Sequence, residues 1–369
     1  MYTVAGQQYT GQQLLDLLRQ LAAPVGSAVV WHDEYVAALP ELTRTDYAST
    51  DAVLLSLGGC LVAGDSYAYK YRAQIDILAR RILAGRPRFE NSGTPKAYNR
   101  LNWTQQGVGD DAYLQLNNNR SPHAALLDLA ATSGTWTLDC ATFVQAVQLA
   151  ARAVALGPAE FDRTARRPFL LKEHDSTGLT HAKLWYRTTH GGELRLRTPA
   201  SDRGQTGEST VTTPDDALLL AAPPGSRVAF VNSDPRAEGT DFERENTVKL
   251  PDGTFASHPF GILTAAAMKR QLALQTVQRY GDEIDATLAR AADGRHDTIT
   301  PAEARTAQAA LDRLLQAGDR EALAAWIMAH RTWTENLLYD DLDEYLDDLL
   351  YLGEIEVYTI TPETTAKRQ

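Results

Sequence analysis

The chain has 369 residues, of which 44% are apolar and 22% are charged, a composition typical of a globular protein with one core and additions. No apolar run is long enough to span a membrane, and the first residues lack the basic start and apolar stretch of a signal peptide. We therefore expect a protein that is cytoplasmic as made and has no membrane partner, with signal-independent secretion as an effector left open.

The charge is concentrated near the C-terminus. The formal net charge is −11, and the segment from Thr332 to Ala366 holds ten acidic residues and no basic one, so the remainder is nearly neutral. The absence of a basic stripe argues against nucleic-acid binding. The acidic segment would suit a basic protein partner, although a solvated helix face explains it equally well.

Helical patterns predict additions at both ends of the chain. Residues 1–64 are expected to form a helical extension, in which Thr10 and Gln13 make an N-terminal capping box. Residues 281–369 are expected to form a helical, acidic extension, with a proline-containing cap from Thr300 to Glu303.

The segment between these additions, residues 65–280, is expected to be the functional domain. Within it, residues 191–224 are rich in polar and turn-forming types, which predicts a long inserted loop and a candidate lid. A β-hairpin is predicted around Pro251 and Gly253. Pairing Leu250 with Gly253 would place Glu245 across from His258, and a bulge at Gly253 would shift that register by one residue.

Two cysteines, Cys60 and Cys140, are too few for a disulfide framework. Cys60 lies in an apolar run and is predicted to be a buried structural thiol. Cys140 begins a predicted helix from Asp139 to about Leu156, where unpaired amides and the helix dipole would lower its pKa and could hold an oxyanion. A cysteine on an apolar helix face is, however, more often a small core residue.

A thiol nucleophile needs a partner that accepts and donates protons. Of the eight histidines, only His258 lies in a hairpin that could face the start of the Cys140 helix. No Cys/His spacing matches a zinc site, and no phosphate-binding loop is present, so we expect no metal and no organic cofactor.

The run LDCATFVQAV around Cys140 resembles the nucleophile helix of papain-like, NlpC-type cysteine enzymes. In that superfamily a strand is followed by a catalytic histidine, but here VAFVN is followed by FERENTVKL, which places Glu245 at that position. In having glutamate at this position, the sequence resembles the spore-type protein-glutamine gamma-glutamyltransferases (transglutaminases) of bacilli. The resemblance spans roughly residues 65–280 through further blocks in the same order: RLNWTQQGVGDDAYLQL, HAALLDLAATSGTWTLDCAT, EFDRTARRPFLLKEHD, GSRVAFVNSDP and SHPFGILTAAAMKRQL.

The resemblance implies an α+β fold, with a papain-like core whose nucleophile helix packs on an antiparallel sheet, plus the helical N- and C-terminal additions. It implies Cys140 as nucleophile, Glu245 as acid/base partner and Asp139 as a second, partly redundant acid. The supporting residues it implies are His258, Asn246, Phe242 and Ala141. Two departures from the family pattern are that Phe242-Glu243-Arg244 replaces Trp-x-Gly and that Asp139 is one methylene shorter than the family's glutamate.

The implied reaction is attack of Cys140 on a protein glutamine, followed by aminolysis of the thioester by a lysine or another amine. The expected partners are proteins with accessible glutamine and lysine side chains. One alternative is a glutamine deamidase or amidase that uses the same Cys140 and Glu245. Another is an inactive papain-like binding module. The sequence does not decide whether the protein is a bacterial coat-assembly enzyme or a secreted effector.

Overall fold

The computed structural model describes residues 1–10, 13–14, 16–17, 46–47, 66–89, 96–97, 101–107, 113–131, 136–165, 168–171, 181–189, 191–201, 205–334, 337 and 339–358. Cys60, most of the predicted N-terminal helix and parts of the segments 88–122 and 168–180 lie outside these residues.

The described part of the first half of the chain forms short strands and helices. In chain order these are β1 (Tyr2–Val4), β2 (Gln7–Tyr9), β3 (Asp46–Tyr47), α1 (Ser66–Ala84), β4 (Arg88–Phe89), β5 (Lys96–Ala97), β6 (Trp103–Gln106), β7 (Tyr113–Leu116), α2 (Pro122–Ala131), β8 (Trp136–Leu138), α3 (Cys140–Leu156), α4 (Pro158–Thr164) and β9 (Leu170–Leu171). The strands make three small sheets, ordered β2-β1-β3, β4-β8-β5 and β6-β7-β9.

The second half supplies the main sheet and the C-terminal helices. Its elements are β10 (His181–Tyr186), β11 (Leu194–Ser201), β12 (Gln205–Val211), α5 (Asp215–Ala221), β13 (Arg227–Asn232), β14 (Arg244–Lys249), β15 (Phe255–Ser257), β16 (Gly261–Leu263), α6 (Ala265–Ala292), α7 (Pro301–Ala317), α8 (Arg320–Ala329), α9 (Leu342–Leu349) and β17 (Leu350–Tyr358). The eight-stranded sheet has the order β12-β11-β10-β17-β13-β14-β15-β16. All its described pairings are antiparallel.

Two hydrophobic cores lie on opposite faces of this sheet. Helices α6 to α9 bury one face against Val228, Phe230 and Phe255. Helices α1 to α4 form the second core, which takes in Val248 and Ala256 from the other face. The α+β class and the packing of the Cys140 helix on an antiparallel sheet are therefore confirmed.

The predicted N-terminal helical extension is correct only in part. The capping box at Thr10 is present: the Gln13 N–H donates to Thr10 Oγ1 (3.2 Å), and the Thr10 N–H donates to Gln13 Oε1 (2.8 Å). The residues before the capping box form a hairpin, in which β1 and β2 pair antiparallel. β1 also pairs with β3.

The prediction of a long loop over residues 191–224 is wrong. This segment forms the β11–β12 hairpin and helix α5, and the hairpin makes one edge of the main sheet. Five strand spacings separate β12 from β14, which corresponds to about 24 Å. The hairpin therefore lies far from the strand that carries Glu245.

The prediction of a wholly helical C-terminal addition is also wrong. Helices α7 to α9 are present, and the capping box of Thr300 and Glu303 is confirmed. However, the boundary at residue 280 falls inside the continuous helix α6, and the chain continues into β17, which lies between β10 and β13 in the sheet. β17 pairs with both neighbours, so this end of the chain is part of the main sheet.

The acidic residues near the C-terminus are partly neutralised within the molecule. Arg270 lies 3.3 Å from Asp343 of α9, and Arg331 pairs with Asp340. The apolar face of α9 packs inward through Leu342 and Tyr345. Among the described residues, no helix combines the length and apolarity that crossing a membrane requires.

Candidate active site

Cys140 is the first residue of α3 and is only 8% exposed. The helix begins here because Asp139 caps it: Asp139 Oδ1 accepts the Thr142 N–H at 2.5 Å, and Oδ2 accepts the Thr142 hydroxyl at 3.1 Å. The first four N–H groups of a helix have no acceptor within the helix, and Asp139 satisfies the one at Thr142. The amides of Cys140 and Ala141 begin the same turn, beside the thiol.

Asn246 connects the main sheet to the thiol. It lies on β14, is buried, and its Nδ2 donates to Cys140 Sγ at 3.3 Å. The hairpin register that places it there is the bulged one: Thr247 pairs with Ser257 and Lys249 with Phe255, while Gly253 takes a positive φ of 81°. The hairpin therefore adopts the register that is shifted by one residue.

This register puts His258, and not Glu245, on the Cys140 face of the sheet, continuing the pairing to Asn246. The His258 ring is 6.0 Å from the ring of Phe143 in α3 and 5.6 Å from that of Phe89. Burial lowers the pKa of His258, and a hydrogen bond with the backbone of Arg88 opposes that shift. Its Nε2 is buried and lacks a hydrogen-bond partner among the described residues.

Glu245 is almost fully buried, at 1% exposure, and its cross-strand partner Phe230 belongs to the core beneath α6 to α9. Its Oε1 accepts the Ser257 hydroxyl at 2.6 Å, and its Oε2 has no hydrogen-bond partner within the described part of the chain. Burial raises the pKa of Glu245 well above its usual value; the Ser257 bond lowers it, and the charge of Asp139 raises it further.

The pKa of the Cys140 thiol is raised, which corrects the expectation of a lowered value. Burial is the largest cause, followed by the charges of Glu245 and then Asp139, while the hydrogen bond from Asn246 acts in the opposite direction. The helix terminus is therefore outweighed by desolvation and by two neighbouring carboxylates. The pKa of both groups is raised, so the Cys140 thiol retains its proton at neutral pH.

The structure thus brings Cys140, Asp139, Asn246 and His258 together on one side of β14, with Ala141 adjacent. Glu245 lies on the opposite face of that strand, close enough for its charge to act on the thiol. Phe242 lies elsewhere: its ring is 6.4 Å from that of Phe260, and it packs against the core of the C-terminal helices. 

Two polar residues at the site were not predicted, Ser257 and Thr142. The correct hairpin register would have indicated Ser257, since it lies diagonally across from Glu245 on the same face. Among the described residues, no group of three His, Cys, Asp or Glu side chains could hold a metal ion.

Comparisons with known proteins identify the family of the chain. The profile of the protein-glutamine gamma-glutamyltransferase family, TGL, matches residues 66–293. A protein-glutamine gamma-glutamyltransferase of Halalkalibacterium halodurans is 29% identical over 170 residues, which cover 46% of this chain and 47% of the relative. The chain thus spans about half the length of this curated relative.

A solved transglutaminase of Geobacillus stearothermophilus, without its C-terminal extension, is also similar, with 20% identity and a TM-score of 0.41 over 56% of this chain and 82% of that one. The family match covers more than half of the chain, including α3 and the β14–β15 hairpin. The chain therefore belongs to the protein-glutamine gamma-glutamyltransferase family.

Proposed function

We propose that this chain is a transglutaminase that transfers the acyl group of a protein glutamine to an amine through a Cys140 thioester. The single observation that carries the proposal is the buried neighbourhood of Cys140, where a thiol at a helix N-terminus adjoins a carboxyl group of raised pKa. A carboxyl whose pKa is raised exchanges its proton readily in both directions, so it can act first as base and then as acid.

The first half-reaction begins with one proton on the Cys140–Glu245 pair. Glu245 accepts the thiol proton while Sγ attacks the γ-carboxamide carbon of the substrate glutamine. Glu245 then donates that proton to the leaving nitrogen, so that ammonia departs and a thioester to Cys140 remains. The Glu245 oxygen available for these transfers is Oε2, because Oε1 is engaged by Ser257. No hydrogen bond joins Glu245 to Sγ among the described residues, and Glu245 starts from the opposite face of β14, so the proposed transfer requires the Glu245 side chain to turn towards the thiol or a water to carry the proton.

The tetrahedral intermediate carries negative charge on the former carbonyl oxygen. The amides of Cys140 and Ala141 point along the helix axis at its N-terminus and are suited to hold that oxygen. Asn246 already donates to Sγ at 3.3 Å and stabilises developing thiolate character. Asp139 keeps both carboxylate oxygens on Thr142, which favours a role in setting the helix start and the local charge over a role in proton transfer.

In the second half-reaction an amine attacks the thioester carbon. Glu245 accepts a proton from the attacking nitrogen and returns it to the departing Cys140 sulfur, which forms an isopeptide bond and restores the thiol. In a protein substrate this amine is the lysine side chain. His258 stays a supporting residue in this scheme: its lowered pKa keeps the ring neutral, with Nε2 as an acceptor facing the buried site.

The alternative outcome is hydrolysis of the same thioester, which would make the chain a glutamine deamidase. One observation favours this alternative, since the β11–β12 hairpin of the 191–224 segment lies five strand spacings from β14, although the end of the segment accepts hydrogen bonds from Lys249 of that strand. The opposing observation is that Cys140, Asn246 and Glu245 are each at most 8% exposed. Aminolysis requires that bulk water be kept from the thioester, and this burial supports it.

The papain-like, NlpC-type description of the core is likewise a proposal. It is supported by a cysteine at the start of a helix that packs on β14 and β15, with the partner residues on those strands. A basic protein partner for the acidic residues of α9 also stays a prediction.

The experiment is incubation of the purified full chain with a glutamine-rich protein and a fluorescent primary amine, with ammonia release followed in the same samples. We expect covalent label and ammonia from the wild type and neither from Cys140→Ala. Cys60→Ala is the matched control, because it removes the other cysteine and should keep full activity. Ammonia without label would establish the deamidase, and the absence of both products would contradict the proposal.

A further inference from the structure

The main sheet has two unlike faces. On the face beneath α6 to α9, residues such as Val228 and Ile355 are buried to 1% exposure or less. On the other face, α3 packs against β14 and β15, next to the catalytic residues. Farther along that second face, β11 and β12 carry charged side chains that are open to solvent.

A row of cross-strand partners joins the thiol to these charges. In an antiparallel sheet, directly paired residues have their side chains on the same face. Starting from the residue that is hydrogen-bonded to Cys140 Sγ, the successive partners are Asn246, Ala229, Glu354, Tyr186 and Arg195. Four strand spacings separate the first from the last, or about 19 Å.

Where the structure describes the side chains of this face, exposed arginines outnumber exposed acids. Arg195 is 50% exposed, Arg244 is 42% exposed, and Arg197 is exposed in the neighbouring row. Glu208 is 42% exposed and lies 3.7 Å from Arg195, and Glu193, two residues before Arg195, is a second exposed acid beside the face. These residues are called the arginine face: Arg195, Arg197, Arg244, Glu208 and Glu354.

The internal partners hold the arginines in place without using all their donors. Arg197 lies over the Tyr186 ring at 5.0 Å. Arg244 donates to Glu354 at 2.6 Å, and Glu354 also accepts from Arg227. A guanidinium has five N–H donors, so each of these contacts leaves several directed outward.

We propose that the arginine face binds an acidic segment of the glutamine-bearing substrate protein and thereby selects which glutamines reach Cys140. The charge of the face indicates an acidic occupant, because this protein has a net charge of −11 and yet the arginine face exposes more cations than anions. Arginine is suited to bidentate binding of carboxylates. The distance of about 19 Å corresponds to about six residues of extended chain, which sets the spacing between the glutamine and the acidic run.

This inference rests on the proposed function for the identity of the glutamine, but its test needs no turnover. Fluorescent peptides would be titrated against full-length Cys140→Ala protein, with binding followed by anisotropy at low and at physiological ionic strength. One peptide carries a glutamine with a run of aspartates about six residues away, and its twin carries asparagines instead. We expect the aspartate peptide to bind more tightly and to lose that advantage as salt rises.

The charge-reversed double variant Arg195→Glu/Arg197→Glu is expected to weaken binding of the aspartate peptide about tenfold. Its matched control is Arg305→Glu/Arg313→Glu on α7, where both arginines are exposed and the net charge changes equally. The control should keep the affinity within about twofold. Because reversal could disturb the hairpin, Glu208→Gln is a second variant with the opposite sign: it should tighten binding about two- to fivefold, which misfolding would not do.

The proposal is overturned if both peptides bind alike, if the α7 control loses as much affinity as the arginine variant, or if Glu208→Gln weakens binding. Amine incorporation by the wild type, measured on both peptides, separates this failure from that of the proposed function. Turnover of both peptides with equal binding would reject the arginine face alone. Binding of the aspartate peptide without any turnover would reject the proposed function alone.

Discussion

Replacement of Glu245 by glutamine should make the Cys140 thiol more acidic and the enzyme nearly inactive. The charge of Glu245 is, after burial, the largest cause that raises the pKa of Cys140. A close carboxylate typically contributes about 1–3 pKa units, equivalent to about 1.4–4 kcal/mol. The Ser257 hydroxyl keeps an acceptor, since glutamine retains Oε1, so the change is largely confined to charge and proton transfer.

The assay is the rate of iodoacetamide alkylation in a Cys60→Ala background, where Cys140 is the remaining cysteine. At a fixed pH below the pKa of Cys140 in both proteins, alkylation of Glu245→Gln should be at least about tenfold faster than that of the Cys60→Ala protein. Amine incorporation should nevertheless fall by about 10²–10⁴, because the acid/base group is gone. A more reactive thiol in a less active enzyme is a combination that general damage to the site would not produce.

His258→Gln provides the comparison. It removes a buried acceptor on the Cys140 side of the sheet while leaving the carboxylate charges unchanged. If alkylation of Glu245→Gln is unchanged or slower, the electrostatic account is refuted. If amine incorporation survives in Glu245→Gln and is abolished in His258→Gln, the acid/base role belongs to the histidine.

Three further predictions concern Asp139, Lys249 and β17. Asp139→Asn should keep the helix cap, whereas Asp139→Ala should lose about 1 kcal/mol of unfolding free energy in a denaturant titration. Both variants should lower the pKa of Cys140, which alkylation rates would show. Equal stability of the two variants would contradict the capping role. Burial lowers the pKa of Lys249 to about 8, so its ammonium destabilises the fold below that pH. The wild type should therefore gain up to about 3 kcal/mol relative to Lys249→Met between pH 8 and 10.5, and parallel stability curves would refute this. A chain ending at Leu349 lacks a central strand of the sheet and should show no cooperative thermal transition, whereas a folded, active truncation would contradict the topology.

Local patterns in the sequence predicted the elements that local chemistry determines. The caps at Thr10 and Thr300, the start of the Cys140 helix and the hairpin at Gly253 each depend on residues a few positions apart. The family resemblance then placed Cys140 and Glu245 within one site. The register that separates Glu245 from His258 depended on a single bulge at Gly253, which the sequence left open.

The errors came from contacts between distant parts of the chain. The polar residues of β11 and β12 favour a loop prediction. The alternation of Leu194 with Arg195 is, however, typical of a strand. β17 becomes a central strand only by pairing with β10 and β13, far away in sequence. The pKa of Cys140 was predicted in the wrong direction because burial and the nearby carboxylates arise from the tertiary structure.

The most direct test of the central claim is detection of the acyl-enzyme. The wild-type chain would be mixed with a glutamine peptide, quenched in acid and analysed by intact mass and peptide mapping. The account predicts an added mass equal to the peptide minus ammonia, located on Cys140 and discharged by a primary amine. An adduct on another residue, or rapid release of ammonia from Cys140→Ala, would contradict it.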